Sequence, residues 1–123
     1  MFNFEKLEVW QKAIDFADLI YSETRAFPPD KRFGLTNQLR RAAVSISSNI
    51  AEGSSRSSKS DFARFVEIAT GSVFEVVSQA FIAQRQSFLS EDQFREIYAA
   101  AEELSRMLSG LRKSLLSTLN SQP

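Results

Sequence analysis

The sequence predicts an all-α protein, an antiparallel up-down-up-down four-helix bundle formed by 1–123 as one domain. Three observations carry this. Apolar residues recur in alternating steps of three and four, the spacing that lines one helix face. Period-two alternation, the mark of a half-buried strand, is absent over about 5–24. Breaking and capping residues cluster at Phe27-Pro28-Pro29, at GSSRSSKS, which opens with Gly53, and at Ser90, leaving short links of the kind that join antiparallel neighbours.

The first helix is predicted over about 5–24, with Leu7, Trp10, Ile14, Ala17 and Tyr21 as its buried seam. It stops before the prolines, which disfavour helical geometry in the preceding residue and lack a backbone donor; Asp30 is placed to cap the next helical segment. The second, about 33–52, buries Leu35, Leu39, Ala43, Ile46 and Ile50, with Gly34 weakening its first turn and Gly53 ending it. Ser58, three residues before Asp61, caps the third helix. That helix covers about 59–88, roughly 45 Å at 1.5 Å per residue. Ser90 and Gln93 form a capping box for the fourth, about 91–118, whose seam is Phe94, Ile97, Ala101, Leu104, Leu108, Leu111 and Leu115.

Two helices carry more apolar surface than a lone bundle needs. On the second, Arg40, Val44, Ser47 and Ala51 form a strip of mostly small residues beside the core face, suited to close helix approach. On the third, Phe62, Val66, Ala69, Val73, Val76 and Ala80 form one stripe, and Phe74, Val77, Phe81 and Phe88 a second beside it. Ile68 and Ile82 extend it further. Soluble monomers rarely expose such a patch, so self-association is expected, with Arg40, Val44, Ser47, Phe74, Val77, Phe81 and Phe88 at the interface. The opposite seam of the second helix, Gln38, Arg41, Ser45, Ser48 and Glu52, is polar, and Asn49 borders the core as a register-setting amide.

At 123 residues and 43% hydrophobic composition the chain can bury a core without disulfide or metal. It has neither cysteine nor histidine, which removes thiol nucleophiles, imidazole bases and the usual zinc ligands. Di-metal bundles need Glu-x-x-His, and that set cannot be built. Ser45, Ser47 and Ser48 lack a base, Glu102 and Glu103 diverge by about 100° on the helix, and GSSRSSKS lacks the GK[ST] ending of a phosphate loop. No catalytic residue, metal or cofactor is expected, and the protein is not expected to be an enzyme. The charged N-terminus lacks the pattern of a signal peptide and no apolar run approaches about 18 residues, so a soluble, cytoplasmic protein without membrane association is expected.

Zero net charge conceals an asymmetry: 1–24 sums to −3, 25–64 to +5 and 65–123 to −2. The basic segment holds the RRAAVSISSNIAEGSSRSSKSDFARF stretch, and its Lys31, Arg32, Arg41, Arg56, Lys59 and Arg64 are the candidate contacts to phosphates. No aromatic RNA-binding signature or recognition helix is present, so base-specific reading is not expected.

Four segments resemble the 23S rRNA intervening sequence proteins, four-helix bundles related to the accessory variability protein of diversity-generating retroelements. They are LEVWQKA (Leu7 to Ala13); Tyr21 and Thr24 followed by Phe27-Pro28; GLTNQLRRAAVSISSNIAEG (Gly34 to Gly53); and IATGSVFEV (Ile68 to Val76). Departures are Ser47, where many members carry proline, and Val77, where an acidic residue is common. The resemblance implies an antiparallel bundle assembled as a ring-like homopentamer. It also implies a nucleic-acid context, with retroelement relatives acting as adaptors through basic ring surfaces. The expected function is therefore a non-enzymatic oligomeric adaptor that binds RNA or DNA backbone. The alternative is a protein-interaction scaffold that binds a protein partner and no nucleic acid.

Overall fold

A computed structural model describes the backbone of residues 1–120 and the side chains of 1–30 and 34–117. It contains four long helices: α1 (Glu8–Thr24), α2 (Asn37–Ser54), α3 (Lys59–Arg85) and α4 (Glu91–Asn120). No strand occurs among the described residues. Each helix packs on its sequence neighbours and α4 returns to α1, which leaves α1 and α3 diagonal to one another. The interior is one apolar cluster drawn from all four, including Ile20, Leu39, Ile46, Val73, Val76, Ile97 and Leu104, each at most 1% exposed.

The seams expected for α2 and α4 are the ones buried, with Leu35, Phe94, Leu111 and Leu115 packed at the margin. On α1 the buried ladder is instead Val9, Ala13, Phe16, Ile20 and Thr24. The expected seam lies beside it: Ile14 and Tyr21 are 37% and 41% exposed, and Leu7, Trp10 and Ala17 are half-buried. Both ladders have helical spacing. The aliphatic one with Phe16 fills the interior, while Trp10 and Tyr21 keep a polar edge at the rim.

Helix boundaries follow local chemistry. A 3-10 turn, Asn3–Lys6, precedes α1, and extended Leu7 separates the two, so α1 begins at Glu8 rather than near 5. A wide turn at Arg32–Thr36, broken by non-helical backbone at Gly34, delays α2 to Asn37. Gly53 does not end α2. It lies inside the last turn, where an added Cβ would stand 2.7 Å from Phe65 Cβ and 2.9 Å from Phe62 Cδ1; it is the point of close approach between α2 and α3. Ser58 Oγ accepts from Asp61 N–H at 3.0 Å and opens α3. The Ser90–Gln93 box is complete, at 2.9 and 3.1 Å.

The third helix ends at Arg85, three residues earlier than expected. Ser87 takes a left-handed conformation (φ 64°), and Phe88 and Leu89 N–H both donate to the Ala83 carbonyl. This reversal turns Phe88 inward against Phe27, with ring centroids 5.6 Å apart. With a mean hydropathy of 1.4 over an 18-residue window, α3 is the one helix among the described residues long and apolar enough to cross a membrane, yet only 39% of that window is buried here. Glu67 and Glu75 interrupt it, which is why no continuous apolar run is legible. More of its apolar surface exists than this bundle covers.

Candidate nucleic-acid interface and apolar face

The basic residues fall into separate places. Arg56, Lys59 and Arg64 surround the α2–α3 link, all exposed. Arg56 is already engaged: its guanidinium bonds Glu52 Oε1 at 3.1 Å and lies 4.7 Å over the Phe65 ring. Lys59 and Arg64 have no hydrogen bond or ion pair among the described residues and remain available to an anion. Arg41 is also exposed, without an ion pair among the described residues, but sits about 20 Å away along α2, at 1.5 Å per residue. The side chains of Lys31 and Arg32 lie outside the described residues.

Arg41 edges an open polar groove of about 360 Å³ between α2 and α3, shared with Gln38, Ser45 and Glu75. Nearby, Ser45 and Ser72 hydroxyls meet at 3.0 Å across the helix pair, and Asn49 Nδ2 donates to Ser45 carbonyl and hydroxyl oxygens at 2.8 and 3.0 Å. Asn49 thus closes a polar seam through its own helix, and the Ser45–Ser72 pair carries the link to α3. Glu75 accepts from Gln79 Nε2 at 3.2 Å. Its carboxylate beside Arg41 weakens the positive potential there.

Arg40, adjacent in sequence, has a different task. Its Nε donates to Thr24 Oγ1 at 2.9 Å, and its guanidinium stands 4.6 Å from the Tyr21 ring centroid. Thr24 in turn donates to the Ile20 carbonyl at 2.7 Å. Arg40 therefore clamps α2 onto the last turn of α1. Of the other residues expected at an interface, Ser47 is 7% exposed and donates to the Val44 carbonyl, and Phe88 is half-buried against Phe27. Val44 is 42% exposed, and Val77 packs half-buried against the core.

Phe74 and Phe81 are 65% and 45% exposed and form one wall of an apolar groove between α3 and α4 with a volume of about 570 Å³. The α4 wall holds Tyr98, Glu102, Ser105 and Arg106, which periodicity alone does not single out as a surface. Tyr98, an aromatic off the expected α4 seam, was the available signal; it is 40% exposed and edge-on to Phe81 at 6.3 Å. Ile68 and Ile82 are also exposed, farther round α3 from the groove.

One carboxyl is perturbed. Burial, and secondarily repulsion from Glu96, raise the pKa of Glu23, whose Oε2 is buried without a hydrogen-bond partner among the described residues. No group of three or more carboxylates able to hold a metal is present among the described residues.

No curated protein matches this chain. A crystal structure from Bacteroides thetaiotaomicron, of a protein of unknown function from the S23 ribosomal protein family, shares the fold. Its TM-score is 0.77 at 24% identity, over 85% of this chain and 98% of that one. The family model described as 23S rRNA-intervening sequence protein matches residues 5–110, most of the molecule from the turn before α1 through the first two-thirds of α4, and the chain belongs to that family.

Proposed function

We propose that this protein is a non-enzymatic, homo-oligomeric bundle that associates with the sugar-phosphate backbone of RNA or DNA as an adaptor in the cytoplasm. Copies join through the apolar face of α3 and α4, in the ring of five that the family resemblance implies. The observation that carries the reading is a pair of exposed cations, Lys59 and Arg64, without an ion pair among the described residues, beside Arg56 at the α2–α3 link. A family named for intervening sequences of 23S rRNA adds an RNA context. One copy offers a few phosphate contacts; an assembly multiplies them along an extended polyanion.

The test is binding of single-stranded RNA and duplex DNA across a salt series. Affinity that falls with salt, with a slope reduced by about one unit for each of Lys59→Gln and Arg64→Gln, is the expected result. Undetectable binding at low salt, or binding indifferent to salt, overturns it. A protein partner that survives nuclease treatment would then favour the scaffold.

A further inference from the structure

We propose that the aromatic N-terminal turn of one copy, with Phe2 at its tip, seats in the α3–α4 groove of a neighbouring copy. The inference rests on the homo-oligomeric reading above and names the contact that joins the copies.

Phe2 is 73% exposed and Met1 90%. An exposed phenylalanine outside the long helices is ordinarily loose, but here the turn is fastened. Phe2 N–H donates to Glu5 Oε2 at 2.8 Å and Gln11 Nε2 donates to the Glu5 carbonyl at 2.8 Å. The Phe2 ring stacks on Phe4 at 5.7 Å, and Phe4 meets the Trp10 ring edge-on at 4.9 Å. The result is an outward-facing aromatic knob whose ordering cost is already met in the free chain.

The groove offers matching chemistry, since Phe74, Phe81 and Tyr98 expose ring surface to which another aromatic can pack at 4.5–7 Å. A chain cannot fill its own groove: the turn packs on α1 and α2, whereas the groove opens between α3 and α4 on the other side of the bundle. Knob and groove are different surfaces of one molecule facing apart, so the contact is heterologous. Such contacts repeat head to tail and close into a ring where the rotation allows. Charge agrees. Lys6 and Glu8 follow the knob, Glu102 and Arg106 rim the groove, and all four are exposed without an ion pair among the described residues. Lys6 can meet Glu102, and Glu8 can meet Arg106, of the next copy.

Because the chain has no cysteine, thiols can be introduced without background. A chain carrying Phe2→Cys alone is mixed with one carrying Tyr98→Cys alone and mildly oxidised, and particle mass is followed by light scattering. The expected results are a disulfide-linked pair of the two variants, with neither variant cross-linking efficiently to itself. Phe2→Ala is expected to weaken subunit association by about thirty-fold or more, the scale of an aromatic hot spot, with helix content unchanged. An absent mixed cross-link, or a Phe2→Ala particle of wild-type mass and dissociation constant, overturns the proposal. If Phe74→Glu nonetheless disperses the particle, the knob alone has failed and the homo-oligomeric reading stands; a wild-type chain that is monomeric overturns both.

Discussion

Gly53 shows how one hydrogen atom in place of a methyl group sets a helix crossing. An alanine Cβ there would press on Phe65 Cβ at 2.7 Å, an atom tied to the α3 backbone and unable to swing away. Overpacking of this kind costs about 1–3 kcal/mol, more than the roughly 1 kcal/mol that alanine gains over glycine in a helix. Gly53→Ala is therefore expected to lower the urea midpoint. Gly110→Ala, where nothing lies within 4 Å of the new Cβ, should stabilise the fold by up to about 1 kcal/mol and raise that midpoint. In the sequence, Gly53 reads as a helix stop because glycine is the usual residue there; the two phenylalanines it accommodates are nine and twelve positions away and give no local sign. Glu23 was equally silent. Its folded pKa lies above the ordinary carboxyl value of 4.5, so the native state binds more protons than the unfolded chain between those two values. Stability contributed by this group is present at low pH and is lost as pH rises through the raised pKa. Glu23→Gln should raise the thermal midpoint near neutrality, with the gain shrinking toward about pH 4; an equal gain at both pH values would refute the assignment.

At the scale of elements, periodicity located all four helices but chose the wrong one of two ladders on α1. Leu7, Trp10, Ile14, Ala17 and Tyr21 have as good a spacing as Val9, Ala13, Phe16, Ile20 and Thr24. What decides between them is the direction from which α2 and α4 arrive, and that lies in no single helix. Arg40 records that direction. Its fork reaches Thr24 and covers Tyr21, so it couples the end of α1 to the start of α2 across the proline-containing link. A hydrogen bond from a charged donor and an exposed cation–π contact together contribute about 2 kcal/mol. Arg40→Ala should lose about that amount in chemical denaturation. Arg40→Lys should recover only part of it, because an ammonium cannot donate to Thr24 while stacking on the ring. A double-mutant cycle with Tyr21→Leu should return a coupling of about 0.5–1 kcal/mol; zero coupling would reduce Arg40 to a spectator.

For the whole molecule, the excess of apolar residues on α3 was readable from the two stripes on its wheel, and the described bundle leaves Phe74, Phe81, Ile68 and Ile82 substantially exposed. The partition of the cations was not readable. The basic segment looked continuous in sequence, yet Arg40 and Arg56 are spent on Tyr21, Thr24, Glu52 and Phe65, and Arg41 shares its groove with Glu75. Among the described residues, Arg41, Lys59 and Arg64 are the proposed contacts left without an ion pair, which ties polyanion affinity to assembly in the proposed function. Phe74→Glu tests that link, since it places a charge on the most exposed ring of the face while leaving the core untouched. Light scattering should find single chains, and circular dichroism unchanged helix content. Affinity for a long RNA should fall by about a hundredfold or more, the loss expected when many weak contacts cease to act together. Affinity for an oligonucleotide short enough to meet one copy should change little. If the dispersed variant held long RNA as tightly as the wild type, binding would belong to the single chain, and the apolar face would need another purpose.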